Sequence, residues 1–69
     1  MKKIGETINN IRKDKRYSQK EMEIKTEIKR EYLSKIENGE LKNPTLKTLS
    51  VICQALGIKV WQLLKDADI

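Results

Sequence analysis

The apolar residues of this chain recur in short stripes with helical spacing, and no segment alternates polar and apolar residues as a β-strand does. Ile4, Ile8 and Ile11 give the first stripe, at positions i, i+4 and i+7. They predict a helix from about Lys3 to Lys15. Similar stripes follow along the rest of the chain. The pattern therefore predicts an all-α fold of five short helices.

The length and the charge of the chain limit what such a fold can do. A chain of 69 residues forms one domain with a small core. We expect residues 1–69 to be that domain, with its core within residues 4–65 and a frayed tail at residues 66–69. Fifteen lysines and arginines against ten acids give a net charge of +5. This excess either favours a polyanionic partner, usually nucleic acid, or only keeps the protein soluble.

The residues that the sequence lacks disfavour several classes of protein. It has no histidine, the commonest general base and metal ligand, so we expect no enzymatic activity, no cofactor and no small-molecule ligand. Cys53, the only cysteine, follows Ile52 in an apolar stripe and is interpreted as a buried structural thiol rather than a nucleophile. No apolar run resembles a signal peptide or a membrane span. We expect a cytoplasmic protein with no membrane partner.

The clearest helix start lies at Ser18. Its hydroxyl can accept from the Glu21 amide while the Glu21 carboxylate accepts from the Ser18 amide, which is the pattern of a capping box. Tyr17 and Met22 have the spacing of a hydrophobic staple across this start. These signals predict a second helix over residues 19–25, which is too short to be stable alone.

A third helix is predicted over residues 30–37. Leu33 and Ile36, with Tyr32 beside them, form its inner face. Gly39 follows the helix and supplies the left-handed conformation that commonly closes a helix C-terminus. The third helix is therefore short and faces the core on one side only.

Two more helices complete the chain. Either Asn43 or Thr45 caps the fourth helix, and Gly57 ends it. The apolar stripe of the fourth helix consists of Leu46, Leu49, Ile52 and Leu56. The apolar residues of the fifth are Val60, Trp61, Leu63 and Leu64.

The second and third helices have the lengths and the short gap of a helix-turn-helix, whose second helix enters the DNA major groove. A set of residues in and after this pair has a characteristic order and spacing: Ser18-Gln19, Met22, Ile28, the run from Tyr32 to Gly39, Asn43-Pro44-Thr45-Leu46, Leu49, Ile52 and Ala55-Leu56-Gly57-Ile58. The set resembles the Cro/repressor-type (XRE-like) helix-turn-helix family over about residues 4–65. The resemblance implies a lambda-repressor-like DNA-binding domain.

The resemblance implies that the outward residues of the third helix contact bases. These residues are Lys29, Arg30, Glu31, Ser34 and Lys35. Arg30 or Lys35 can donate to guanine O6 and N7, and Glu31 can accept from cytosine N4. The alternative is an ordinary solvated face, and the helix dipole alone explains an acid at Glu31.

Other positions are implied to contact phosphates or to hold the third helix. Phosphate contacts are expected from Gln19, Lys13, Asn38, Lys42 and Asn43, with Lys15 and Lys47 as further electrostatic contacts. Arg12 and Glu37 match a pair that is salt-bridged in many family members and that orients the third helix. We favour this structural role over a contact with DNA.

Four positions depart from the family pattern. Members commonly carry glycine at Arg16, alanine at Glu23, glycine at Glu27 and serine or threonine at Lys29. Glu27 in a turn with positive φ costs on the order of 1 kcal/mol relative to glycine. Glu23 implies a looser helix crossing or a charge turned outward. The Lys29 side chain cannot accept a hydrogen bond from a backbone amide as a capping residue does.

The function that the resemblance implies is transcriptional regulation by a homodimer on a palindromic operator, because one recognition helix reads only a few base pairs. The expected dimer surface consists of Val60, Trp61, Leu64 and also Ile69. Alternatively, Trp61 and Leu64 close the core. The stretch from Arg30 to Ser34 is similar to controller proteins of restriction–modification systems, while phage or mobile-element repressors and antitoxin-type regulators are close alternatives.

A hypothesis of a different class is a protein-interaction module that keeps the fold without reading DNA. The acids near the expected reading helix favour it: Glu23, Glu27 and Glu31. The response of DNA binding to salt distinguishes the two hypotheses, because contacts with phosphates weaken as salt rises.

Overall fold

The computed structural model describes residues 2–41 and 44–67. Within these residues the chain forms five α-helices and no strand, as predicted. They are α1 (Lys2–Asp14), α2 (Gln19–Thr26), α3 (Arg30–Glu37), α4 (Leu46–Leu56) and α5 (Val60–Asp66). The first three begin and end within one residue of their predicted positions. In the described part of the chain, no helix has the length and apolarity needed to cross a membrane.

The helix ends follow the capping signals of the sequence. Ser18 Oγ accepts from the Glu21 amide at 3.0 Å, and Glu21 Oε1 accepts from the Ser18 amide at 2.9 Å, which completes the capping box. Thr45 is the cap of α4, since its Oγ1 accepts from the Thr48 amide at 3.1 Å; Asn43, the other candidate, lies outside the described residues. Gly57 ends α4 with a positive φ of 75°.

One apolar cluster joins all five helices. Its buried members are Ile4, Ile8, Met22, Leu33, Ile36, Leu49, Ile52, Cys53, Leu56, Leu63 and Ala67. Cys53 is the predicted buried thiol, and desolvation by burial raises its pKa. Because the thiolate is the nucleophilic form, this environment makes the thiol unreactive at neutral pH.

Three expectations about the core were wrong. Leu46 is 69% exposed, because it is the first residue of α4 and its side chain points back beyond the N-terminus of the helix. Tyr32 is 38% exposed, because one residue of helix rotates it about 100° away from Leu33. The core does not end at residue 65, since α5 extends through Asp66 and Ala67 is 2% exposed. Residues 68–69 lie outside the described part of the chain.

The backbones of α1 and the end of α3 approach each other closely at Gly5. A Cβ atom at this buried position would overlap the carbonyl oxygen of Ile36 and would lie 2.8 Å from that of Glu37. Glycine therefore lets the backbone of α1 rest directly on the last turn of α3. This contact fixes the end of α3, and the sequence analysis did not anticipate it.

Gly5→Ala should lower the free energy of unfolding by about 1–3 kcal/mol, because the methyl group forces α1 away from α3. Helix propensity alone predicts the opposite sign, a gain of about 1 kcal/mol. Urea unfolding measures the change. The control is Asn10→Ala, at an exposed position of α1, which should stay within about 0.5 kcal/mol of the wild-type protein. A Gly5→Ala protein as stable as the wild type would contradict the backbone contact.

Candidate nucleic-acid interface

The polar face of α3 lines a surface hollow of about 400 Å³. The apolar face of the helix is turned inward, with Leu33 and Ile36 buried in the core, so the polar residues of α3 other than the buried Glu37 lie on its outer side. We call this concavity the α3 hollow. The residues that line it are Gln19, Arg30, Glu31, Ser34, Lys35, Asn38 and Glu40.

The structure brings six of the predicted contact residues together. Four come from the predicted base-contacting set of α3 and two, Gln19 and Asn38, from the predicted phosphate-contacting set. Lys13 and Lys29 are exposed but lie outside the α3 hollow. Lys42 and Asn43 lie outside the described residues. Glu40 was not predicted, because it follows the helix and no motif includes its side chain.

The α3 hollow is not uniformly basic. Arg30 and Lys35 contribute cations, whereas Glu31 and Glu40 contribute carboxylates on the same surface. A hollow with both signs of charge and a hydroxyl from Ser34 offers donors and acceptors in one place. This arrangement suits recognition of base edges, which also present both donors and acceptors, better than a purely electrostatic contact with phosphates.

A buried carboxylate holds the end of α3. Glu37 is 7% exposed, and its Oε2 accepts from Arg12 Nε at 2.9 Å, so the ion pair implied by the resemblance is present. Its Oε1 accepts from a second Arg12 nitrogen at 3.1 Å and from Asn9 Nδ2 at 2.7 Å. Arg12 also donates to the carbonyl oxygen of Tyr17 at 2.7 Å. The pair therefore ties α3 both to α1 and to the segment that precedes α2.

Gln19 connects this buried carboxylate to the α3 hollow. It is the first residue of α2, and its Nε2 donates to Glu37 Oε1 at 3.3 Å. The same side chain lines the α3 hollow. The start of α2 is thereby held beside the last turn of α3, at the surface where a phosphate would meet a helix N-terminus.

The turn between α2 and α3 depends on two side chains that the sequence analysis did not single out as caps. Thr26 Oγ1 donates to the Met22 carbonyl oxygen at 2.6 Å and accepts from the Ile28 amide at 3.1 Å. Glu23 Oε2 accepts from the Arg30 amide at 3.1 Å. Lys29 makes no side-chain cap. The carboxylate of Glu23 instead accepts from a backbone amide at the start of α3 that has no partner within the helix.

The structure shows how the chain accommodates three of its departures from the family pattern. Glu23 is half-buried and directs its carboxylate at the recognition helix rather than away from it. Glu27 has a φ of 60°, and Arg16 has a φ of 62°, so both occupy the left-handed region that favours glycine. The turns before and after α2 keep their geometry at a cost of roughly 1 kcal/mol for each of these residues.

Unlike the α3 hollow, the surface of α5 carries a large exposed apolar side chain beside the charged Lys65 and Asp66. Trp61 is 62% exposed, while Val60 and Leu64 are partly buried against the core. The alternative that Trp61 closes the core was therefore wrong, although it holds in part for Leu64. Ile69 lies outside the described residues.

A short helix, a three-residue turn and a second helix with an outward polar face define a helix-turn-helix protein. Comparison with known proteins gives its family. Residues 7–68 match the family described as the Cro/C1-type HTH DNA-binding domain. The chain belongs to this family of DNA-binding domains, as its sequence motifs indicate.

Individual relatives are regulators with the same kind of domain. An uncharacterized HTH-type transcriptional regulator, y4dJ of Sinorhizobium fredii, is 34% identical over 67 residues, which cover 97% of this chain and 86% of that protein. The HTH-type transcriptional regulator SinR of Bacillus licheniformis is 35% identical over 65 residues, or 94% of this chain and 59% of SinR. The chain thus spans less than two thirds of the length of SinR.

A solved structure supports the same fold. The crystal structure of SinR, described as a master regulator for biofilm formation, in complex with DNA superimposes with a TM-score of 0.84 at 36% identity. The match covers 88% of this chain and 97% of that one. The five-helix arrangement is therefore that of a domain crystallised on DNA.

Glu37→Gln should lower the free energy of unfolding by about 3 kcal/mol, because it leaves the buried Arg12 without its counter-charge. The control is Glu31→Gln, which neutralises an exposed acid on the same helix and should cost less than about 1 kcal/mol. Thermal or urea unfolding of both variants tests this. Equal losses in the two variants would mean that the buried pair does not hold α3.

Proposed function

We propose that this chain is a transcriptional regulator that reads double-stranded DNA by inserting α3 into the major groove. The observation that carries the proposal is the α3 hollow: the polar face of α3 is presented outward while its apolar face and its last turn are fixed. Membership of a DNA-binding domain family and the likeness to a DNA-bound domain support it. It acts by binding rather than by catalysis, and it works in the cytoplasm, where its DNA lies.

Within this proposal, α3 supplies the contacts that depend on base sequence. Arg30 and Lys35 donate to guanine O6 and N7, and Glu31 accepts from cytosine N4. Ser34 adds a hydroxyl that can donate or accept, and Lys29 adds charge beside the groove. Arg30, Glu31 and Lys35 are exposed, and together with the partly exposed Ser34 they line the α3 hollow, which supports their assignment.

Phosphate contacts flank the groove on this proposal. Gln19 begins α2 and Asn38 follows the last turn of α3, and both line the α3 hollow. The amides at the start of α2 suit an anion. Lys13 adds a longer-range attraction, and Lys42 and Asn43 remain part of the proposed second phosphate contact. These groups fix the register of the protein on the duplex rather than its base preference.

We also propose a homodimer, because a single α3 reads too few base pairs to select an operator. The exposed Trp61, with Val60 and Leu64 beside it on α5, supports an apolar surface through which two copies pair. Two-fold symmetry of the protein requires a palindromic operator, with half-sites one helical turn or a multiple of it apart.

The competing proposal is a protein-interaction module that has lost DNA reading. The observation in its favour is the pair of carboxylates, Glu31 and Glu40, in the α3 hollow. The net charge of +5 favours DNA instead.

Binding to a fluorescent mixed-sequence duplex, followed by anisotropy, separates the two proposals. For about four neutralised phosphates, affinity should fall roughly 100-fold between about 50 and about 200 mM salt. A chain that binds the duplex with no response to salt, or not at all, would favour the interaction module.

Selection of bound sequences from random duplexes should return a palindrome. On that site, Arg30→Ala or Lys35→Ala should cost about 1–3 kcal/mol and relax the preference at one base position. Gln19→Ala should weaken binding to every sequence alike, since it contacts phosphate. If Arg30→Ala and Lys35→Ala both bind the selected site like the wild type, the proposed reading face is wrong. A Gln19→Ala protein that loses only one base preference would contradict its phosphate role.

A further inference from the structure

Glu40 engages both ends of the Asn38 side-chain amide. Glu40 is exposed and lies two residues after Asn38, in the turn that follows α3. Its backbone amide donates to Asn38 Oδ1 at 3.1 Å, and its Oε1 accepts from Asn38 Nδ2 at 3.4 Å. Both side chains line the α3 hollow. The amide donor of Asn38 is therefore already directed at an anionic oxygen of the protein.

A DNA phosphate would present an anionic oxygen to the same donor. The carboxylate of Glu40 and a phosphate oxygen are both strong acceptors, so they compete for the Asn38 amide. A phosphate that binds there must first displace the Glu40 carboxylate from the Asn38 amide. Binding of the phosphate at Asn38 is therefore weakened.

We propose that Glu40 is a built-in anionic competitor of the DNA backbone for the Asn38 amide, and that it lowers affinity for DNA of any sequence. The inference rests on the proposed function, since it assumes that Asn38 meets a phosphate. With this contact weakened, the base contacts of α3 supply a larger share of operator binding. Glu40 thus sets how strongly the protein is retained on DNA that lacks its site.

The test uses the full chain and a fluorescent mixed-sequence duplex at constant low salt. Glu40→Ala should tighten binding about fivefold by removing the competing charge. Glu6→Ala is the matched control, because it removes one exposed acid from α1 outside the α3 hollow and gives the same net charge. It should change affinity less than about twofold, since distant surface charges are screened. Circular dichroism checks that each variant keeps its helices.

The double variant Asn38→Ala with Glu40→Ala completes the cycle. When Asn38→Ala is the starting protein, adding Glu40→Ala should gain about twofold or less, because the contested donor is gone. The inference is overturned if Glu40→Ala binds like the wild type, if Glu6→Ala gains as much, or if the gain persists without Asn38. In all three cases a wild-type chain that still binds DNA with a salt-dependent affinity leaves the proposed function intact. A wild-type chain that binds no duplex overturns both.

Discussion

The buried carboxylate of Glu37 is the interaction on which the rest of the structure depends. It receives hydrogen bonds from Arg12, Asn9 and Gln19, and so joins the last turn of α3 to α1 and to the start of α2. A carboxylate taken out of water is unfavourable unless its oxygens are paired. Here they are satisfied by donors from two other helices, and this requirement sets how α1, α2 and α3 meet.

The contact at Gly5 complements this polar junction. Gly5 brings the backbone of α1 onto the carbonyl end of α3, a few residues before Asn9 and Arg12 reach the carboxylate. One end of α3 is thus fixed by steric fit and charge, and the other by Glu23 at the Arg30 amide. A helix of eight residues is unstable alone. Constraints at both ends, together with its buried apolar side, give α3 the rigidity that a reading element requires.

Sequence alone predicted the helices well and the site in part. The spacing of apolar residues and the capping signals depend only on residues that are close in sequence. Ser18, Glu21 and Gly57 therefore predict helix ends without knowledge of the fold. The predictions of the outward face of α3 and of the ion pair between Arg12 and Glu37 came from the family resemblance. The roles of Gly5, Glu23 and Glu40 were not predicted, because they depend on residues brought near by folding. A glycine inside a helix is expected from sequence alone to destabilise that helix. No sequence signal indicates that Glu23 accepts from the backbone amide seven residues later.

The left-handed residues that bracket α2 have a consequence for how this domain tolerates change. Arg16 and Glu27 occupy backbone conformations in which a side chain is unfavourable. A domain of this size has little stability to spare, and about 1 kcal/mol corresponds to a melting temperature several degrees higher or lower. Neither residue lines the α3 hollow. The two turns are therefore a reserve from which heat tolerance can be gained by single substitutions while the α3 hollow is left unchanged.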